Sequence, residues 1–192
     1  MNVFYLEVDN PVKISVPGFA VADVTANMSN GNITPTKKSA GEYIARPTKK
    51  GKANVTLFTI IEGKKTRMGE MEFRVKEVPP PKASVRFSNN VKGELFIDKM
   101  KMVTAGGLSA KLKDFDFKGV RYSITSFKLT GMYKGEQQSD IAKSPKFTKK
   151  MEGIIKNTKR GNTITISKIT ARRVDAKNTA TRSLDPVVLT IK

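Results

Sequence analysis

Two acidic residues, Asp114 and Asp116, are where this sequence comes closest to catalytic or metal-binding chemistry. In a strand, residues two positions apart point to the same side, so the two carboxylates would converge. Converging carboxylates can serve as a general acid and base or as ligands for a hard cation, although such a cation normally takes further oxygen ligands. A strand with Phe115 turned inward and two solvated acids explains the same triplet, and we favour that interpretation.

The composition also argues against an enzyme. The 192 residues include no histidine and no cysteine. The commonest general base, the commonest metal ligand and the thiolate nucleophile are therefore absent. The glycines of Gly51-Lys52 and Gly106-Gly107 do not have the spacing of a phosphate-binding loop. We expect no enzymatic activity, no cofactor, no metal site and no small-molecule substrate.

The charge of the chain indicates an anionic partner. The net charge is +19, from 36 Lys and Arg against 17 Asp and Glu. Residues 1–77 hold 12 basic and 8 acidic residues, whereas residues 78–192 hold 24 and 9. The second part therefore carries most of the positive field, which raises the encounter rate with anionic molecules. Such a molecule could be an acidic protein, an anionic membrane or a nucleic acid.

Basic residues cluster on a predicted helix, residues 144–160. Ser144-Pro145 is typical of a helix start, and Gly161 of a helix end. Phe147, Met151, Ile154 and Ile155 form an apolar stripe. The candidate partner-binding residues lie away from that stripe: Lys146, Lys149, Lys150, Lys156, Lys159 and Arg160. A lysine face that only keeps the protein soluble is the alternative. We do not expect nucleic-acid binding, because no helix-turn-helix, RRM, KH or zinc signature is present.

The elements that must position these residues are mostly strands. In Val8–Gly18 (VDNPVKISVPG), apolar and polar residues alternate between turns, which predicts a half-buried strand. Similar short strands follow up to Glu77, including a hairpin that turns at residues 63–65. Strands and turns at this spacing favour an immunoglobulin-like β-sandwich for residues 1–77. Residues 78–82 contain Pro79-Pro80-Pro81, which favours an extended, semi-rigid linker.

The second module, residues 83–192, is predicted to be β-rich with one α-helix. The alternation in residues 120–133 changes phase near Ser126, which predicts a β-bulge there. Gly135–Lys143 is polar and is predicted to be a loop. Val3–Val8 and Val187–Ile191 are candidate edge strands that pairing with a second copy would cover. The fold class is therefore mainly all-β: two tandem immunoglobulin-like β-sandwich domains, the second with one helix.

A series of segments resembles one protein family. VDNPVKISVPG, GEYIARP, GKANVTL and EFRVKEVPPPKASV occur in the order typical of the penultimate domain of GldM, called PorM in non-gliding relatives. KDFDFKGVRYSITSFKLTG and ISKITARRVDAKNTATRSLDPVVLTIK are similar to the last domain of that family. The resemblance covers essentially the whole chain.

The resemblance implies a role in gliding motility and type IX secretion. Family members have an inner-membrane helix and several periplasmic domains, so this chain would be the distal periplasmic part of an inner-membrane-anchored protein. The implied partners are a second copy (a homodimer), an inner-membrane motor protein bound through a part N-terminal to this chain, and an outer-membrane ring lipoprotein with its associated periplasmic protein. The alternative function is a secreted or surface-attached β-sandwich adhesin.

Overall fold

Two compact units make up the protein. A computed structural model describes residues 2–37, 39–113, 115, 117, 119–176 and 180–192. The units are Met1–Pro79 and Pro80–Lys192. Asp114 and Asp116, the candidate acidic pair, lie outside the described residues. None of the described helices is long and apolar enough to cross a membrane.

The first unit is a sandwich of two sheets. Its strands are β1 (Val3–Tyr5), β2 (Asn10–Lys13), β3 (Thr25–Met28), β4 (Asn32–Pro35), β5 (Glu42–Arg46), β6 (Gly51–Ile61) and β7 (Lys64–Lys76). One sheet has the order β1-β7-β6-β3 and the other β2-β5-β4. β1 runs parallel to β7, and the other pairs are antiparallel.

Side chains from both sheets meet in the core of this sandwich. Phe4, Val55 and Val75 of the first sheet are buried together with Ala45 of the second. Tyr43 is buried as well, and its hydroxyl donates a 2.7 Å hydrogen bond to the Val24 carbonyl. The immunoglobulin-like β-sandwich predicted from the alternation of apolar residues is confirmed.

One buried polar side chain, that of Asn10, holds the first residues of this unit in place through hydrogen bonds. Asn10 is 2% exposed, and its Oδ1 accepts a 2.8 Å hydrogen bond from the Tyr5 N–H. Its Nδ2 donates to the carbonyls of Tyr5, Val8 and Ala45 at 2.9, 2.8 and 3.1 Å. Because Ala45 lies on β5, Asn10 joins the turn after β1 to the second sheet.

The predicted hairpin is present between β6 and β7. Its two turn residues are Glu62 and Gly63, one residue earlier than the sequence suggested. Both have positive φ, 47° and 77°. This left-handed pair forms the tight turn whose twist matches that of the flanking strands.

The second unit places a large sheet against two helices and a small sheet. Its strands are β8 (Lys82–Val85), β9 (Asn89–Val91), β10 (Glu94–Ile97), β11 (Leu108–Lys111), β12 (Tyr122–Tyr133), β13 (Glu136–Ala142), β14 (Thr163–Arg173), β15 (Arg182–Leu184) and β16 (Val187–Ile191). The helices are α1 (Lys99–Ala105) and α2 (Lys149–Asn157). The large sheet has the order β13-β12-β14-β16-β10-β9, with β15 beside β14, and β8 pairs with β11 in the small sheet.

The core of the second unit lies between these layers. Leu129, Ile164 and Leu189 of the large sheet are fully buried, as are Ile154 and Ile155 of α2. The predicted bulge near Ser126 is confirmed, because the pairing of β12 with β14 shifts on both sides of that residue. The extra residue returns the apolar side chains of β12 to the core face.

Three sequence-based predictions about the strands and the number of helices in the second unit were wrong. The predicted loop Gly135–Lys143 is largely strand β13. Because most residues of β13 are polar, its sequence shows no alternation of apolar and polar residues. A second helix, α1, was missed because it is only seven residues long; Asp98 caps its start and Gly106 its end. Val187–Ile191 is not an edge strand, since β16 lies between β14 and β10.

Candidate partner-binding surface

The described residues offer no site for metal chemistry. Within the described ranges, no three or more Asp and Glu side chains lie close enough to hold a metal ion. The other candidate site from the sequence is the surface around α2.

Helix α2 starts at a residue that the sequence analysis did not select. Thr148 is the N-cap, and its Oγ1 accepts a 3.1 Å hydrogen bond from the Met151 N–H. The same hydroxyl donates to the Asp140 carboxylate on β13. The predicted start at Ser144 was wrong because residues 145–147 extend along another segment: the Leu108 N–H donates to the Pro145 carbonyl, and the Phe147 N–H to Gly106.

A glycine on β12 lets α2 lie close to the large sheet. A Cβ atom on Gly131 would come within 2.8 Å of Ile154 Cγ2 and 3.2 Å of Thr158 Oγ1. Thr158, just after the helix, donates to the Ile154 and Met132 carbonyls at 2.8 and 3.2 Å. Gly131, Thr148 and Thr158 thus set the position of α2 on the sheet. Thr148 had a sequence signal, since threonine is among the residues preferred at the N-cap of a helix.

The six candidate residues are all exposed, but only three are helical. Because α2 spans residues 149–157, Lys149, Lys150 and Lys156 lie on it. Lys149 and Lys156 are seven residues apart, which places them roughly 10 Å apart on the same solvent-facing line. The other three flank the helix rather than lying on one of its faces: Lys146 before it and Lys159 and Arg160 after it. We call these six residues the basic surface.

The charges of the basic surface form no close ion pair with the carboxylates that the structure describes, although Glu152 lies on the same helix. No described carboxylate forms a salt bridge with any of the six residues. Four of the five salt bridges between described residues lie in the first unit, namely Arg46–Asp9, Lys50–Glu77, Lys52–Glu72 and Arg67–Glu70. Among the described residues of the second unit, Arg173 and Asp175 form the one salt bridge. The positive field around α2 is therefore open to an external anionic group.

Two of these lysines occupy an unfavourable position for helix stability. Lys149 and Lys150 are the first two residues of α2. The N-terminus of a helix carries a partial positive charge, so cations there destabilise it by about 0.3–1 kcal/mol each. Helix stability therefore does not explain why lysines occupy these two positions.

A second pair of charged residues, Arg173 and Asp175, links the end of β14 to the start of β12 through hydrogen bonds. The Arg173 guanidinium is 7% exposed and donates to the Asp175 carboxylate, whose Oδ1 also accepts a 3.0 Å bond from the Arg121 N–H. Burial raises the pKa of Asp175, but the hydrogen bonds from Arg173 and Arg121 outweigh it, so the pKa lies below its ordinary value of 3.8. The pair therefore joins neighbouring strands of the large sheet.

Replacing Asp175 with asparagine is expected to lower the stability of the second unit by about 2 kcal/mol at neutral pH, because hydrogen bonds to charged groups are lost. A depressed carboxyl pKa contributes stability that is present above the unfolded pKa and is lost as pH falls, so the native protein loses it below about pH 4. The free energy of unfolding of the variant should fall less steeply than that of the native protein as the pH is lowered through this range. Calorimetric unfolding over a pH series measures both effects. Asp185→Asn, at an exposed position, is the control; equal behaviour of the two variants would contradict the assignment.

Comparisons with known proteins identify both units. The family described as the GldM third domain matches residues 1–76, and the family described as the GldM C-terminal domain matches residues 79–192. No protein in the curated set matches significantly.

Solved structures add little. The fibronectin(III)-like modules of Clostridium thermocellum CbhA align with 100% of this chain and 89% of theirs, at 14% identity and a TM-score of 0.29. The Bacteroides ovatus mixed-linkage glucan utilization locus protein SGBP-B, solved with a mixed-linkage heptasaccharide, aligns with 100% of this chain and 66% of its own, at 12% identity and a TM-score of 0.25. TM-scores this low carry no argument about either fold or function.

The two family matches follow each other along the chain in the order third domain, then C-terminal domain, and they leave almost no residue uncovered. They also agree with the order of the segments whose resemblance to GldM is visible in the sequence. The chain belongs to the GldM family and comprises its third and C-terminal domains.

Proposed function

We propose that this chain is the distal periplasmic part of a dimeric arm that couples an inner-membrane, proton-driven motor to the outer-membrane lipoprotein ring of type IX secretion. Membership of the GldM family, whose members are membrane-anchored gliding-motility and type IX secretion components with periplasmic domains, supports this role. The family is a structural, motor-associated one rather than a known enzyme family.

The docking part of this proposal rests on the basic surface, whose six side chains form no salt bridge with a described carboxylate. Its six residues are exposed, and the two at the start of α2 are placed against helix stability. A ring component with an acidic surface would supply the counter-charges that the described part of the second unit does not. Homodimer formation and the motor contact rest on family membership alone.

The mechanical part of the proposal rests on the linker. β7 ends at Lys76 and β8 begins at Lys82, so residues 77–81, with their three prolines, connect the two units. Consecutive prolines favour an extended and semi-rigid backbone, whereas glycines give a flexible coil. A stiff connection passes displacement from one unit to the next; a flexible one absorbs it.

Replacing Pro79 and Pro80 with glycine is expected to leave both units folded while reducing secretion of a type IX cargo protein severalfold, since a flexible linker transmits less displacement. Pro81 is buried and is kept. Cargo secretion in cells is measured beside thermal unfolding of the purified chain. Pro17→Gly, at an exposed position in the first unit, is the matched control. Normal secretion by the double-glycine variant would contradict the arm.

A further inference from the structure

Strand β13 is an outer strand of the large sheet. It pairs with β12 over seven consecutive residues without a register shift and lies at the end of the strand order. Within the described ranges, no backbone hydrogen bond joins residues 136–142 to an element other than β12. Its outer edge is therefore free to pair with a further strand.

The hairpin turn defines which backbone groups face outward. Lys134 and Gly135 are the two turn residues, with φ of 51° and 87°, as in a tight two-residue hairpin. In such a hairpin the flanking residues, here Tyr133 and Glu136, exchange hydrogen bonds, and the bonded positions then alternate. Gln137, Ser139 and Ile141 therefore direct their N–H and C=O groups away from β12.

Length sets β13 apart from the other outer strands. Every other outer strand in the described part of the chain has three or four residues, and β2 and β4 also contain Pro11 and Pro35. Short length and proline are common protections against unwanted pairing. β13 has seven residues and contains no proline, lysine or bulge. A long outer strand that lacks these protections is a ready-made acceptor for an added strand.

Basic side chains outnumber acidic ones beside this edge, with three lysines against Glu136 and Asp140. Lys134 and Lys143 are exposed at the two ends of β13, and Lys128 lies opposite Ile141 on β12. The carboxylate of Asp140 is engaged by the Thr148 hydroxyl. Ile141 is 59% exposed and offers an apolar contact on the open face of the sheet.

We propose that the outer edge of β13 accepts an extended, acidic segment of a partner protein as an additional strand. Backbone hydrogen bonds to Gln137, Ser139 and Ile141 provide affinity, and the neighbouring lysines select negative charge. A second copy of this chain fits the edge less well, because residues 78–192 carry 24 basic against 9 acidic residues and two such units repel each other. This site adjoins the basic surface but acts through the backbone groups of β13, and it does not depend on the arm, whose docking is tested by charge reversal around α2.

The test uses the full chain and a fluorescein-labelled peptide of roughly ten residues that alternates glutamate with valine and threonine. Ser139→Pro removes an outward N–H without removing a β12–β13 hydrogen bond. We expect this variant to bind the peptide about tenfold more weakly, while Ser139→Thr binds normally. Lys134→Glu with Lys143→Glu should weaken binding at low salt and have little effect at high salt. The same peptide with N-methyl groups on its central residues, which keeps its charge but cannot pair, should not bind.

A second readout covers the case in which Ser139→Pro disturbs folding. In the unmodified chain, the peptide should slow amide hydrogen exchange at Gln137, Ser139 and Ile141 and leave the already bonded amides of β13 unchanged. Equal binding of the N-methylated peptide would overturn the proposal, because binding would then be purely electrostatic. A concentration-dependent dimer that Ser139→Pro dissolves, with no peptide binding, would overturn it in favour of self-pairing.

Discussion

Replacing Lys149, Lys156 and Arg160 with glutamate is expected to slow association with the outer-membrane ring component about 100-fold at low salt, because electrostatic steering is lost. The three side chains are exposed and form no salt bridge with any described residue, so the fold should be undisturbed. The effect should fall mainly on the association rate and shrink at high salt. Binding kinetics at several salt concentrations, together with thermal unfolding, measure it.

The matched control reverses the charge of three lysines in the first unit. Lys13, Lys49 and Lys76 are exposed, so their replacement by glutamate changes the net charge by the same amount. If both triple variants lose association equally, net charge rather than the basic surface is responsible. If neither variant does, the basic surface only keeps the protein soluble. The same titration against duplex DNA distinguishes a nucleic-acid binder, which would bind any duplex with a steep dependence on salt.

Replacing Asn10 with alanine is expected to destabilise the first unit by about 3 kcal/mol, because a buried hydrogen-bonding centre is removed. The substitution leaves the Tyr5 N–H and the carbonyls of Tyr5, Val8 and Ala45 without this partner. For a unit of this size, that corresponds to a loss of about 12–24 °C in the melting temperature. Calorimetry of the full chain should show the transition of the first unit shifted and that of the second unchanged.

Asn10→Asp gives a sharper test of the same network. Aspartate keeps the oxygen that accepts from Tyr5 but cannot donate to the three carbonyls, and it buries a charge. It should therefore be at least as damaging as alanine. Asn32→Ala, at an exposed position on β4, is the control and should change stability by less than about 0.5 kcal/mol. A small effect of both Asn10 variants would show that other contacts hold β1 in place.

The sequence determined the strands whose alternation is strong. The β6–β7 hairpin and the bulge near Ser126 were predicted because apolar side chains facing one core must recur at every second residue. The family was also visible, because a series of segments in order needs no tertiary information. The exposure of Lys149, Lys150 and Lys156 followed from a similar argument, since polar residues away from the apolar stripe of a helix face solvent. Lys146, Lys159 and Arg160 lie outside α2, so the helical pattern did not place them.

Only the tertiary structure determined those strands and helix ends that are stabilised by contacts with other elements. β13 has no apolar alternation; it is a strand because β12 lies beside it and a tight turn at Lys134-Gly135 brings the chain back. The start of α2 at Thr148 depends on Asp140 and on the pairing of residues 145–147 with a segment about 40 residues earlier. Likewise, Val187–Ile191 has the same sequence pattern in an edge strand as in a central one, and only its two neighbours place β16 inside the sheet. Local patterns report which side of an element is buried, whereas its partners are set by contacts between residues far apart in the chain.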